Sequence, residues 1–428
     1  MEDLFRLTAT AARLLISAGR LDPADLLEAC LARIAAREPA VRAFAFVDPA
    51  QVRRATPRPG PLASFPLAGI PLGVKDVFDT ADMPTEHGSP IWRGWRPKGD
   101  AAAVSLARAA GATVIGKTVT AEFAIRTPGP TAHPQTLQHT PGGSSSGSAA
   151  GVADGFFPLA YGTQAMGSLI KPAAYCGIVG YKPSFGAINR AGMKIVAETL
   201  DTVGVLARSV ADCALFVGAV TGLDLGDPDT RPERAPRIGL CRSPAWSKAL
   251  PETRTLLAKV EAALARAGAA VVERELPSAF DCFQEAFPRV LNREAAHGLR
   301  WELLHAPEQI SPPLYDQLQA GLAVGAADYV AAAETLTELR RAFPLVMEDL
   351  DILVTPAATG EAPEGLASTG DSAFNSLWTA LYVPCVSVPA GVGPTGLPLG
   401  IQIVARRGAD RAALAWAQWV AAALEAGL

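Results

Sequence analysis

The chain has 428 residues, 49% of them hydrophobic, 19% charged and 7% aromatic. That composition excludes intrinsic disorder, and a chain of this size removes about three quarters of its surface from water on folding. The net charge of −4, from 38 Lys and Arg against 42 Asp and Glu, gives no sign of a surface built for a phosphate backbone.

The N-terminus, MEDLFRLTAT, has no basic stretch ahead of an apolar one and does not read as a signal peptide. Residues 1–60 are predicted to be helical and amphipathic. Within them, LDPADLLEACLARIAAREPA offers Asp22 as N-cap, Pro23 at the first helical position, and an apolar stripe through Leu26, Leu27, Cys30, Leu31 and Ile34. A strand is predicted from Leu72 to Phe78, then a helix over 100–111 and a strand in ATVIGKT. Residues 142–235 are rich in Gly, Ala and Ser and read as the dense centre of the fold. From 236 the texture changes: RIGLC is strand-like, PETRTLLAKVEAALARAG (251–268) reads as an exposed helix, and helical patterns continue to about residue 350. Buried strands return in DILVTPA, VPCVSVPA and LPLGIQIVA, followed by a closing helix from Arg411 to Leu424. Phe374 to Ala405 carries no charge, but Pro384, Pro389, Pro394 and Pro398 exclude a membrane-spanning helix, so it is read as buried strands and turns. Alternating strands and helices predict a mixed α/β fold. It is read as one domain: N-terminal helices (1–60), a core (61–235), a helical elaboration (236–350), and a C-terminal part of the core (351–428).

Six cysteines stand singly, with no C-x-x-C and no His at metal spacing, and read as buried free thiols of a cytoplasmic protein without a metal site. Three short motifs match patterns whose structural context is missing. GATVIGKT (111–118) fits the phosphate-loop expression, yet a helix precedes its glycine and a strand-like run follows it. GVGPTG (391–396) lies between two strands, with no helix N-terminus to meet a pyrophosphate. GSSSG (143–147) lacks the incoming strand of a nucleophile elbow. The five histidines are isolated and read as surface or capping residues.

The remaining segment, GGSSSGSAAGVADGFFPLAYGTQAMGSLIKPAAYCGIVGYKPSFG (142–186), holds three serines between glycines and a second Gly-Ser pair at Gly167-Ser168. A lysine, Lys75, is embedded in an apolar run upstream. Serine hydroxyls need a base, and lysine can act as one only when burial makes it neutral. Backbone N–H groups on a Gly-punctuated turn are suited to an oxyanion.

On these residues the chain resembles the amidase signature family. The Gly/Ser-rich signature matches residues 142–186, GIPLGVKD (69–76) matches the lysine motif, and GSPIWRG, DILVTPA and VPAGVGPTGLPLGIQIV extend the similarity along nearly the whole chain. The resemblance implies a large mixed, twisted sheet flanked by helices. It also implies Lys75 as proton acceptor, Ser144 as bridging serine after a cis peptide at Gly143-Ser144, and Ser168 as nucleophile. The N–H groups of Ala165, Met166, Gly167 and Ser168 would bind the oxyanion. Where the family often has Thr-Gly-Gly before the nucleophile, this chain has Ala165-Met166-Gly167, with the Met166 side chain expected to narrow the acyl pocket. Lys171 is either a binding site for a substrate carboxylate or a structural cation. The implied activity is hydrolysis of a small-molecule amide with no cofactor, no nucleic acid and no membrane; a homodimer is left open. The alternatives are an amidotransferase A-type subunit that releases ammonia from glutamine, or a catalytically idle binding relative.

Overall fold

The computed structural model describes residues 4–55 and 64–427. Its centre is an eleven-stranded mixed sheet. In chain order the strands are β1 (Phe44–Val47), β2 (Pro71–Lys75), β3 (Thr113–Thr118), β4 (Leu159–Gln164), β5 (Val179–Lys182), β6 (Thr202–Ala207), β7 (Arg237–Leu240), β8 (Ala270–Glu273), β9 (Ile352–Pro356), β10 (Cys385–Val392) and β11 (Pro398–Val404). Across the sheet they run β1-β3-β2-β4-β6-β5-β10-β11-β9-β7-β8. β2 is parallel to both β3 and β4, whereas β4, β6, β5, β10 and β11 alternate in direction.

Strand side chains alternate between two cores because successive residues face opposite sides of a sheet. Leu159 and Tyr161 enter one core and Ala160 the other. The first core is closed by helices Ala102–Ala109, Val210–Thr221, Pro251–Arg266 and Asp410–Gly427. The second is closed by Pro23–Val41, Ser146–Asp154, Ile170–Cys176 and Phe283–Gly298, among others. The helix Ser146–Asp154 lies so close to the sheet that a Cβ at Gly147 would sit 2.1 Å from the Ala43 carbonyl oxygen. The Gly, Ala and Ser richness of the signature is therefore a packing requirement.

Several expectations are met closely. Asp22 accepts a hydrogen bond from the Ala24 N–H at 2.9 Å and Pro23 opens its helix. The lysine of GATVIGKT lies within β3 and pairs with Asp76 at 3.0 Å, both buried. Others need correction. Residues 1–60 are not helical throughout, because FAFV forms β1 and pairs with β3. The strand expected to reach Phe78 ends at Lys75, where the N–H groups of Val77 and Phe78 both turn back to the Lys75 carbonyl. The helix at 251–268 is not exposed all round; Leu256, Leu257, Val260 and Leu264 bury one stripe. The uncharged stretch 374–405 includes a short helix, Ser376–Ala380. Cys282 is exposed, unlike the other five cysteines. His87 and His133 are buried, His133 with its Nε2 2.9 Å from the Tyr175 carbonyl oxygen. Among the described residues no helix is long and apolar enough to cross a membrane.

Candidate active site

Lys75 ends β2, between β3 and β4, at the carboxyl ends of these parallel neighbours, where α/β sheets commonly place ligands. Its side chain is wholly buried, and its ammonium nitrogen lies 2.7 Å from both Ser144 Oγ and Thr163 Oγ1. Burial pushes the Lys75 ammonium down to about 7, partly opposed by the Asp201 carboxylate. A neutral amine in this position has two N–H groups and one lone pair. It can donate to Thr163 while accepting the Ser144 hydroxyl proton.

The Gly143-Ser144 peptide is cis, as the resemblance implied. Ser144 leads into the helix Ser146–Asp154, and the adjacent Ser145 binds this segment to the second serine. The Ser145 N–H donates to the Ser168 carbonyl at 3.1 Å, and the Thr163 N–H donates to Ser145 Oγ at 3.3 Å. Ser144 and Ser168 therefore open into one cavity of about 750 Å³, together with Ala165, Met166, Gly167 and Lys171. No hydrogen bond to the Ser168 hydroxyl is present among the described residues.

The turn from β4 to Ser168 is held by a side chain that the sequence did not mark. Gln164 Oε1 accepts from the N–H groups of Leu169 and Ile170 at 3.1 and 3.0 Å, closing the start of the helix Ile170–Cys176. Its Nε2 donates to Thr379 Oγ1 at 3.0 Å, and that hydroxyl lies 3.0 Å from the Met166 carbonyl oxygen. With the turn clamped in this way, none of the N–H groups of Ala165, Met166, Gly167 and Ser168 is used in a loop or side-chain hydrogen bond among the described residues. Gly167 is required by close approach: a Cβ there would fall 2.5 Å from Asn375 Oδ1. Met166 lines the cavity and also packs against the core.

Two buried charged residues also line the cavity. Asp201 precedes β6, whose Thr202 is in register with Gln164, so it lies beside the turn that carries Ser168. Its Oδ2 accepts from the N–H groups of Val196 and Ala197 at 2.7 and 3.0 Å. Burial raises the Asp201 carboxyl, opposed by those hydrogen bonds and by the charges of Lys75 and Arg190. Lys171 donates to the Gly370 carbonyl at 2.7 Å, and burial pushes it down to about 7, partly opposed by Asp371. Asp371 pairs with Lys248 at 2.9 Å, and both line the same cavity. Sequence reasoning gave no role to Thr163, Gln164, Asp201 and Thr379, because single polar residues in or beside buried strands, or in a short buried helix, carry no periodic signal.

A family model described as Amidase matches residues 25–414. The chain belongs to the amidase signature family. Among curated relatives, it is 33% identical to the A subunit of glutamyl-tRNA(Gln) amidotransferase from Roseiflexus castenholzii, covering 95% of this chain and 93% of that one. It is 34% identical to the protein of the same name from Chloroflexus aggregans, covering 95% and 94%. Among solved structures, 6-aminohexanoate cyclic dimer hydrolase superposes with a TM-score of 0.87 at 27% identity, covering 100% of this chain and 98% of that one. The peptide amidase of Stenotrophomonas maltophilia does so with a TM-score of 0.76 at 30% identity, covering 96% of each. This amidase-family chain thus shares its architecture with hydrolases of amide bonds, while the names of its sequence relatives are those of one component of an amidotransferase.

Proposed function

We propose that this chain breaks the C–N bond of a carboxamide by acyl transfer to Ser168. The observation that supports it most is the buried Lys75 amine 2.7 Å from Ser144 Oγ, with Ser144 and Ser168 on one cavity wall. Neutral Lys75 takes the Ser144 proton as Ser144 takes that of Ser168, and Ser168 Oγ bonds to the substrate carbonyl carbon. The carbonyl oxygen, now an anion, is met by the unused N–H groups of the 165–168 turn. On collapse the C–N bond breaks, and the proton held on Lys75 returns through Ser144 to the leaving nitrogen. Ammonia or an amine departs, and water then cleaves the Ser168 ester to release the acid.

Two fates of the nitrogen remain, and the names of the sequence relatives favour the second. In the first, the chain works alone on a small-molecule amide. In the second, it is an amidotransferase A-type subunit that takes glutamine and passes ammonia to a partner. A cavity that presents Lys171 together with Asp371 suits an amide that itself carries a carboxylate and an ammonium group. The test is ammonia release by the purified chain from glutamine, asparagine, simple aliphatic amides and C-terminal peptide amides. Preference for glutamine, enhanced by co-purified partner proteins, supports the amidotransferase reading, and turnover of simple amides by the chain alone supports the hydrolase. Failure of a serine-directed acylating probe to label Ser168 in the folded chain would sink both and leave a binding relative.

A further inference from the structure

Away from this site, four arginines converge on one small cavity of about 350 Å³: Arg340, Arg341, Arg406 and Arg407, with Tyr382 and no Asp or Glu in its lining. The chain as a whole is acidic, so this is a local reversal of charge. Two of the arginines are fixed by the backbone. Arg340 Nε donates to the Ala380 carbonyl at 2.7 Å, and Arg406 donates to the Met347 carbonyl. Tyr382 organises the centre: Phe185 stacks on it with ring centroids 4.2 Å apart, and the guanidinium carbons of Arg340 and Arg407 lie 3.7 and 5.2 Å from its ring centre. None of the four arginines makes an ion pair among the described residues. The Glu294 carboxylate, which also acts on Arg340, already accepts hydrogen bonds from Thr199 and Tyr329.

Bringing four guanidinium groups together without a counter-charge is unfavourable, and an anion offsets it. Guanidinium forks match the oxygens of phosphate in pairs, better than a point-charge ammonium does. We propose that the Arg340–Arg341–Arg406–Arg407 cavity is a binding site for a phosphate group. The ligand chemistry is that of a phosphoryl or pyrophosphoryl anion, supplied either by a free phosphorylated small molecule or by a nucleic-acid backbone.

Isothermal titration of the full chain with inorganic pyrophosphate at low salt tests this. The expected result is saturable binding of one pyrophosphate per chain, weakening as salt rises, and weakened at least tenfold in Arg341→Ala/Arg407→Ala. Neither of those side chains makes a hydrogen bond among the described residues, and thermal unfolding of the double variant checks that its fold is kept. Should the double variant fail to fold, Arg341→Glu alone is expected to weaken binding by a similar factor, since Arg341 is exposed. Absence of saturable binding to the wild-type chain, or equal affinity in folded variants, overturns the proposal. A short single-stranded RNA that displaces pyrophosphate assigns backbone phosphates as the source, and one that does not assigns a free phosphorylated ligand. Because the readout is binding, it stands apart from whether Ser168 is a nucleophile.

Discussion

Lys75 and Lys171 are both interior lysines brought down to about 7 by burial, yet their surroundings differ. Lys75 has two hydroxyls around its nitrogen and Lys171 has a carbonyl and a nearby carboxylate. As the base must be neutral, kcat/KM should rise with pH through about 7 and level off above it. That limb should persist in Lys171→Met and vanish with the activity in Lys75→Ala, which is expected to lose roughly 10²–10⁴-fold. Ser168→Ala should lose more, roughly 10⁴–10⁶-fold, with the fold unchanged; steady-state rates near wild type would remove the mechanism. Asp201 stabilises the protonated form of Lys75, so Asp201→Asn should move the limb to lower pH. An unmoved limb would show that Asp201 carries no charge in the working enzyme.

At the scale of elements, the turn that carries Ser168 is an interface between β4, the helix Ile170–Cys176 and the short helix Ser376–Ala380. Gln164 is its clamp. Replacing it with Leu strands two buried N–H groups, those of Leu169 and Ile170, at a cost of about 2–4 kcal/mol. Urea unfolding of Gln164→Leu measures that loss, and kcat should fall with it because the oxyanion donors are carried by the same turn. Met166 acts on the same element from the cavity side. Met166→Gly should widen acceptance of bulky acyl groups with little change for the smallest amide, as read from kcat/KM across an acyl series. A flat size profile would show that its packing against the core outweighs its place in the cavity wall.

Over the whole molecule, buried lysines couple stability to pH, Lys75 and Lys171 among them. In the unfolded chain these two hold their protons up to 10.5, and in the folded chain only to about 7. Between those limits the unfolded state binds more protons, so their contribution to stability rises with pH from about 7 upward and is absent below it. Buried thiols such as Cys30, raised to about 12, begin to oppose this above their ordinary 9.0. Denaturant midpoints measured from pH 7 to 9 should therefore increase. The increase should flatten in Lys75→Met/Lys171→Met; an unchanged slope would mean that neither lysine is neutral in the folded protein.

Part of the order of strands and helices was legible, where local pattern carries it, whereas β1, β4, β5, β6 and β8 were not marked. Asp22-Pro23 starts a helix, GIPLGVK and DILVTPA are apolar runs of strand length, and clustered small residues allow the helix Ser146–Asp154 to lie against the sheet. The motifs that carry Lys75, Ser144 and Ser168 could be picked out as well, since each is long, and the fold brings the three to one cavity region. What sequence alone could not supply is the set of partners. Thr163 reaches Lys75 across 88 positions, and Thr379 meets Gln164 across 215. The four arginines stand in the sequence as two distant pairs, Arg340-Arg341 and Arg406-Arg407, before the fold brings them to one cavity with Tyr382. Even the fall of the Lys75 ammonium to about 7 comes from desolvation between two packed layers. Local pattern thus fixes which segments are strand or helix, whereas charge state and hydrogen-bond partner depend on what lies within a few ångströms, and only the folded sheet sets that.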